Sequence, residues 1–445
     1  MRVGLLPLGR PTFDVPYAED KLAALLTQID AWAQAGGHEV TGSRTLLMGP
    51  DDDALAAVAE TDALLILQVT FTDAAFATSA AMAHPGRVAI WAVPEPRVGG
   101  RLRLNAFCGL NLLSHALGLN DRAFAWAYGD TADLDALFGG PEVAPKLGRP
   151  AEAAPVAIPE HLRIARIGAH PEGFGTCAYD AEALRALTGA TVTELELPEL
   201  FDRARALPDA AVAPYRAKAE TLGRVGLLDR GELDRSLRLA GALDALKVEH
   251  GFDAMAIRCW PETFTEYGGA VCGPVSMLGE ARTPCACEAD VYGAVTQSIL
   301  QAVADAPVFL ADLVDMDDET GVVWHCGQAP SSMSASAPAA TVHTNRKQAL
   351  LLEFALKPGR VTLFRLSQAR GRPQVVIATG EMLDRPMAYT GTSGTLAFDR
   401  GAAAVRDDVM ASGLEHHMAL AYGDHAEALR GVAAGLGVPV LELGA

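Results

Sequence analysis

The stretch that decides the fold is Cys285–Asp312, with the sequence CACEADVYGAVTQSILQAVADAPVFLAD. It predicts a helix over Ala289 to Val303 between two apolar runs, and the second run, Val308 to Leu310, has the character of a buried strand. Each run ends in a carboxylate, Glu288 after the first and Asp312 after the second. Because a carboxylate loses favourable hydration at such a place, both side chains need a cation or hydrogen-bond donors nearby.

A divalent metal ion is the simplest partner for these two carboxylates. The chain offers further ligand types in His325 and in the pair His416–His417, without the tight spacing of zinc sites. Simpler interpretations stay open: Glu288 caps the helix that follows it, Asp312 caps a strand-to-loop turn, and the histidine pair lies on a surface loop. For His325, a core histidine hydrogen-bonded to the backbone is the alternative.

Before this stretch, strands and helices alternate in two segments. Residues 1–150 begin with a strand over Val3 to Leu6 and a helix over Glu19 to Ala35, and they predict a parallel sheet with helices on both faces. The segment 139–155, rich in Pro, Gly and Ala, predicts a linker. Residues 151–315 then form a second unit of the same kind.

After it, from about Gly321, strand-like runs broken by turns replace this alternation. We predict no long helix before Asp424 to Leu436, so residues 316–445 form a mainly antiparallel β-domain that a C-terminal helix closes. The fold class is therefore α/β, with two Rossmann-like parallel-sheet α/β domains followed by this β-domain.

Three further side chains lie at predicted strand ends, where ligands of open α/β sheets bind. Arg10 follows the first strand, and a surface charge is its alternative interpretation. Trp260 and Glu262 follow the strand over Ala254 to Arg258. Tryptophan is more often a core residue than a binding platform, so these two are weaker candidates.

Composition excludes several classes of function. The formal net charge of −19, with no cluster of Lys or Arg, predicts binding to neither nucleic acid nor anionic membranes. No apolar run reaches the length of about 18–20 residues that a membrane span needs. The N-terminus is predicted to be a strand rather than a secretory signal, so we expect a cytoplasmic protein. The glycine-rich loop at residues 170–175 lacks a following Lys-Ser/Thr, so it does not predict a nucleotide site.

Five of the seven cysteines crowd one part of the chain, at positions 259, 272, 285, 287 and 326. Their spacing does not match zinc or iron–sulfur sites, so we expect reduced, buried, apolar thiols. Cys326 as a nucleophile would need His325 as its base, but adjacent residues of a strand point to opposite faces.

Four motifs together resemble the superfamily of L-fucose isomerase and L-arabinose isomerase: Cys287-Glu288-Ala289-Asp290, Phe309-Leu310-Ala311-Asp312, Trp324-His325-Cys326-Gly327 and Glu415-His416-His417. The succession of two α/β units and a β-domain is also similar to that family. The resemblance implies a metal-dependent aldose–ketose isomerase that acts on a monosaccharide through an enediol. Manganese is the usual ion, with magnesium or cobalt as alternatives.

The resemblance also implies roles for individual residues. Glu288, Asp312 and His417 correspond to the metal ligands, and the two carboxylates would also move the proton between C1 and C2. We expect substrate contacts from the remaining candidates, Arg10, Trp260, Glu262, His325 and His416. His416 stands where L-fucose isomerases have a polar amide.

Family members are homo-oligomers, so the resemblance implies a trimer or hexamer in which Arg10 reaches the metal centre of a neighbouring subunit. The expected partner is a small-molecule sugar. The alternative function is a non-catalytic sugar-binding or regulatory protein on the same scaffold.

Overall fold

Three β-sheets organise the protein, whose computed structural model describes residues 1–445. Two of the sheets are parallel throughout, and the third is mostly antiparallel. The predicted fold class, two parallel-sheet α/β units followed by a mainly antiparallel one, is confirmed.

The first sheet is built by the N-terminal part of the chain. Its strands are β1 (Arg2–Leu8), β2 (Glu39–Gly42), β3 (Ala63–Gln68), β4 (Arg87–Ala92) and β5 (Ala125–Tyr128). The helices between and after them are α1 (Val15–Gly36), α2 (Asp52–Val58), α3 (Ala75–Ala83), α4 (Ala106–Leu119) and α5 (Leu134–Gly139). In the order β2-β1-β3-β4-β5, the chain leaves β1 and β3 toward opposite edges of the sheet. Such a point opens a crevice at the carboxyl ends of the two strands.

Arg10 lies at this crevice. It follows β1, and its backbone N–H donates to the hydroxyl oxygen of Thr70, just after β3, over 2.9 Å. The position is therefore the one expected from the sequence for a ligand-binding residue.

The second sheet has four parallel strands in the order β7-β6-β8-β9. They are β6 (Arg163–Ile167), β7 (Thr191–Leu195), β8 (Ala254–Ile257) and β9 (Cys285–Ala286). Its helices are α6 (Ala181–Thr188), α7 (Leu197–Ala206), α8 (Asp209–Glu220), α9 (Arg230–His250), α10 (Cys272–Glu280) and α11 (Val291–Ala304).

The third sheet has nine strands, six of which close on themselves as an antiparallel ring. The strands are β10 (Phe309–Met316), β11 (Gly321–His325), β12 (Ala339–Thr341), β13 (Leu351–Ala355), β14 (Gly359–Ser367), β15 (Gln374–Met382), β16 (Thr392–Phe398), β17 (His417–Tyr422) and β18 (Val440–Glu442). The ring runs through β16, β11, β10, β17, β14 and β15. Two helices accompany it, α12 (Ala402–Ser412) and α13 (Ala426–Leu436).

Helix α11 joins the second sheet to the third. Its apolar residues, among them Val291 and Ile299, share one hydrophobic core with Ala256 of β8 and with Phe364 and Ala419 of the ring. Because buried apolar area is the main stabilising term, this shared core fixes the two sheets relative to each other. The carboxylates that precede α11 are thereby held beside the ring.

Three local expectations were wrong. Asp312 does not end a strand, because β10 continues to Met316 through residues that are all buried. Glu288 does not cap a helix: Asp290 is the N-cap of α11, and its side chain accepts from the N–H of Gly293. Helix α12 was missed, because a run of small residues after Gly401 has little helical periodicity.

Other expectations stay predictions. The division into 1–150, 151–315 and 316–445 stays a prediction, because sheet membership does not define domain limits. Strand β10 crosses the predicted limit at residue 315 and pairs within the third sheet. The oligomeric state and the cytoplasmic location are predictions as well. Among the helices, none combines the length and apolarity that crossing a membrane requires.

Gly327, which follows β11, provides a test of how the fold holds the site. Its φ is +80°, and a Cβ there would lie 2.7 Å from both the Cβ of Leu351 and the carbonyl oxygen of Leu352. Gly371 has a similar φ of +67° but no atom within 4 Å of such a Cβ. We expect Gly371→Ala to cost about 1–2 kcal/mol of backbone strain and Gly327→Ala to cost about 1–3 kcal/mol more from overpacking. Thermal unfolding measures both, and equal Tm values would contradict the clash at Gly327.

Candidate active site

One cavity, of about 810 Å³ with its open mouth, brings most of the candidate residues together. Its walls include six of the predicted site residues, Arg10, Trp260, Glu288, Asp312, His325 and His416. Arg10 lines this cavity within its own chain, and its expected contact with a neighbouring subunit stays a prediction.

Glu288 connects β9 to α11 in a left-handed conformation, with a φ of +57°. A non-glycine residue adopts this conformation at a cost of about 1–2 kcal/mol, so the surrounding contacts must hold it. The indole N–H of Trp260 donates to Oε1 over 3.0 Å, and Nε2 of His416 donates to Oε2 over 3.0 Å. Burial raises the pKa of Glu288, but the hydrogen bond from His416 and the nearby imidazoles outweigh it, so the pKa is lowered.

Asp312 is placed by strand register. It lies directly opposite His417 of β17 and opposite Trp324 of β11. Directly opposed residues of antiparallel strands share a face of the sheet. The carboxylate Oδ1 is 3.4 Å from Nε2 of His417. Burial raises the pKa of Asp312 to about 6.

His417 is oriented from behind by Asp290. Its Nδ1 lies 2.9 Å from Oδ2 of Asp290. The guanidinium of Arg365 donates to the same Oδ2 over 2.6 Å and to Oδ1 of Asp290 over 3.1 Å. Burial raises the pKa of Asp290, but Arg365 and His417 outweigh it and lower the pKa overall. An ionised Asp290 only accepts, so Nδ1 of His417 holds the proton and Nε2 presents a lone pair.

His325 has the opposite tautomer. The backbone N–H of Cys326 donates to its Nδ1 over 2.9 Å, so in the neutral ring Nε2 holds the proton. His325 is therefore a hydrogen-bond donor toward the cavity, whereas His417 is an acceptor.

The atoms around His417 fit a cation. Oδ1 of Asp312 and Nε2 of His417 face each other as two acceptors, and both are buried without a hydrogen-bond partner. Buried acceptors are normally satisfied, so an absent partner indicates an ion or a ligand group. Glu288, His416, His417 and Cys177 have ligand atoms within 4.8 Å of one another, and so do Asp312, His325 and His417. Glu288 and Asp312 thus lie in different groups that His417 joins, and carboxylate and imidazole donors suit a hard divalent ion.

The mouth of the cavity is cationic. The guanidinium carbons of Arg10 and Arg346 lie 5.0 and 5.7 Å from the ring centroid of Trp260. Arg10 is 3.8 Å from the carboxylate of Asp73, whereas Arg346 has no ion pair with a carboxylate. Burial and the charge of Arg10 lower the pKa of Arg346. An unneutralised, partly buried guanidinium beside a second one favours an anionic ligand.

The structure differs from the sequence-based expectation at two candidates. Glu262 does not line the cavity, because its carboxylate pairs with Nε of Arg258, four residues earlier, over 2.7 Å. His325 and Cys326 are not on opposite faces: β11 ends at His325, and the Cys326 thiol lies 3.2 Å from Nδ1.

Three residues of this region were missed by sequence reasoning. The position of Asp290 just before a predicted helix is a visible signal in the sequence. Such a position predicts an N-cap, however, and not a contact with a site histidine. Arg346 lies in a loop, next to Lys347, and Arg365 is a single basic residue in a strand. Only the folded chain brings both to the site.

Comparison with known proteins adds a family. Residues 323–444 match the family model of the L-fucose isomerase C-terminal domain. The whole chain is similar to proteins named sulfoquinovose isomerase. It is 32% identical to one from Alkalicoccus urumqiensis, with 98% of each chain covered, and 31% identical to one from Priestia aryabhattai, with 95% of each covered.

The pair of Asp290 and Arg365 can be tested by its effect on stability. Both side chains are 1% exposed, so Asp290→Asn leaves a buried guanidinium without its counter-ion. We expect a loss of about 3–5 kcal/mol in the free energy of unfolding. The matched control is Asp30→Asn, which removes the half-exposed partner of Arg44 and should cost at most about 1 kcal/mol. Chemical denaturation compares the two, and losses of similar size would show that the buried pair has no special role.

Proposed function

Since the chain belongs to the L-fucose isomerase-like family of sugar isomerases and is an aldose–ketose isomerase, we propose a metal-dependent reaction on a sugar that carries an anionic group. The observation that supports the anionic group is the pair of guanidinium groups beside Trp260, one of them without a carboxylate partner.

The proposed metal ligands are Glu288, Asp312 and His417. The unsatisfied acceptors on Asp312 and His417 support this choice, and the lone pair on Nε2 of His417 has the orientation that a ligand needs. The ion, which we propose is Mn²⁺ with Mg²⁺ or Co²⁺ as alternatives, would polarise the sugar carbonyl.

The carboxylates have a second proposed role in moving protons. Isomerisation transfers a proton between C1 and C2 through an enediol, which requires acid and base groups within hydrogen-bond reach of the reacting atoms. Glu288 and Asp312 both line the cavity, and no other carboxylate does. His325, with its proton on Nε2, would donate a hydrogen bond to a sugar oxygen. His416 holds Glu288 in place, which leaves that carboxylate aimed into the cavity.

The other end of the sugar would lie at the mouth of the cavity. The relatives are named for sulfoquinovose, a hexose whose terminal carbon carries a sulfonate. A sulfonate offers three acceptor oxygens and a full negative charge, which two guanidinium groups can bind directly. We therefore propose a sulfonated hexose of this kind as the substrate.

Glu288→Gln tests the catalytic site. Because the amide cannot act as a base and is a poorer ligand, we expect kcat to fall by about 10²–10⁴-fold and bound metal to fall below the wild-type content. Ketose formation and elemental analysis of the purified protein measure the two effects. Glu262→Gln makes the same change outside the cavity and should retain both activity and metal. Wild-type turnover in Glu288→Gln would refute the assignment.

Arg346→Met tests the anionic substrate. Loss of a charged hydrogen bond costs about 1.5–3 kcal/mol, which is a factor of about 10 to 150 in kcat/KM for sulfoquinovose. The kcat/KM for quinovose, which lacks the sulfonate, should fall little, because this sugar makes no such contact with Arg346. The control is Arg282→Met, which removes an exposed arginine outside the cavity. Equal losses with both sugars would show that Arg346 does not recognise the anionic group.

A further inference from the structure

Two thiols meet in the wall of the cavity, and the isomerase chemistry uses neither of them. All seven cysteines are free, and Cys326 is the one among them that is not fully buried. Its sulfur is 3.6 Å from that of Cys272, and both residues line the cavity. Small molecules that enter the cavity can therefore reach Cys326.

The same piece of backbone holds both thiols in place. Gly273, next to Cys272 at the start of α10, donates its N–H to the carbonyl of Leu350 over 2.8 Å. The carbonyl of Gly327, next to Cys326, accepts from the N–H of Leu352 over 3.1 Å. Leu350 and Leu352 are two residues apart, so one short segment holds the backbone beside both cysteines. The fold therefore keeps the two sulfurs close to each other.

The two sulfurs need only a short movement to form a disulfide. Bonded sulfurs are about 2.05 Å apart, so the sulfurs of Cys272 and Cys326 must approach each other by about 1.5 Å. Rotation of the two side chains, with a small shift of the loop after β11, can supply such a movement. Disulfides of this kind in reducing compartments are transient and redox-sensing.

We propose that Cys326 and Cys272 form a peroxide-sensitive dithiol, which hydroperoxides oxidise reversibly to a disulfide in the cavity wall. The sulfur of Cys326 attacks one peroxide oxygen and the O–O bond breaks. The thiol proton and the departing hydroxide leave as water, and Cys326 becomes a sulfenic acid. The sulfur of Cys272 then attacks that sulfur, the S–O bond breaks and a second water leaves with the Cys272 proton. Two electrons thus pass from the two sulfurs to the peroxide.

The disulfide would disturb the active site through His325. The thiol of Cys326 lies 3.2 Å from Nδ1 of His325, and the backbone N–H of Cys326 holds the same nitrogen over 2.9 Å. Movement of the Cys326 sulfur toward Cys272 withdraws the thiol contact, and the accompanying shift of the loop strains the backbone hydrogen bond that holds the ring facing Asp312. Oxidation is therefore expected to inactivate the enzyme, and reduction to restore it.

A second pair of sulfurs, Cys259 and Cys287, lies nearby, 2.8 Å apart. Cys287 has no exposed surface and Cys259 is 3% exposed. An oxidant thus reaches Cys326 first. Cys259 lines the cavity too, but its sulfur lies against that of Cys287, whereas the sulfur in contact with Cys326 is that of Cys272, 3.6 Å away. The proposal is therefore tested most directly by finding which two cysteines are linked after oxidation.

The experiment treats the full-length enzyme with hydrogen peroxide, blocks free thiols with iodoacetamide and maps the digested protein by mass spectrometry. We expect one peptide pair that links Cys272 to Cys326, together with a loss of most isomerase activity that dithiothreitol restores. The mapping does not depend on the proposed substrate, so its failure is distinguishable from a wrong sugar. A link between Cys326 and Cys287, or Cys326 found only as sulfinic acid, would overturn the proposal.

Variants separate the roles of the two thiols, each compared with its own untreated sample. Cys326→Ser should keep its activity in peroxide. Cys272→Ser should lose activity that dithiothreitol no longer restores, because the sulfenic acid lacks its partner and oxidises further. Cys108→Ser is the control and should behave like the wild type. Cys108 is buried outside the cavity, and its thiol donates a hydrogen bond to the carbonyl of Leu313. Reversible inactivation in Cys272→Ser would contradict the dithiol.

Discussion

The buried contact among Arg365, Asp290 and His417 is the interaction on which the site depends. Arg365 belongs to β14 of the ring, Asp290 caps α11 beside the second sheet, and His417 begins β17. Each of the three side chains is 1% exposed. An ion pair in such surroundings contributes little net stability, because desolvation offsets its Coulomb attraction. Its effect is geometric: it fixes the ring plane and the tautomer of His417, and it ties the two carboxylate-bearing parts of the chain to one another.

The second constraint is strand register. Asp312 and His417 meet because they are directly opposite in the pair of β10 and β17. A shift of one residue would turn one of the two side chains to the other face of the sheet, and the acceptor pair would be lost. A carboxylate in the middle of a buried strand is unfavourable unless something compensates it. The second buried carboxylate of β10, Asp315, has such partners in Arg97 and Tyr128, whereas Oδ1 of Asp312 has none.

Periodicity in the sequence was sufficient for the sheets, because alternating apolar runs report directly on which segments are buried. It was insufficient for side-chain orientation near strand ends. The expectation that His325 and Cys326 face apart assumes that the strand continues, and β11 stops at His325. Glu262 was misjudged for a different reason, since its partner Arg258 lies only four residues away and the sequence does not show which of several neighbours it binds. Arg365 has no local signal, because it is a single basic residue whose partner Asp290 is distant in the chain. Arg346 has none either, because a basic residue in a loop is usually a surface charge and only the fold places it beside Trp260.

Trp260 connects the two ends of the cavity. The guanidinium carbons of Arg10 and Arg346 lie 5.0 and 5.7 Å from its ring centroid, and its N–H donates to Glu288. Cation–π contacts depend on the position of the ring, and a hydrogen bond to a carboxylate depends on its direction, so one indole satisfies both only in one orientation. An anion that draws Arg10 and Arg346 together would therefore act on the same ring that aims Glu288. Under the proposed function, Trp260 would thus couple recognition of the anionic group to the position of Glu288.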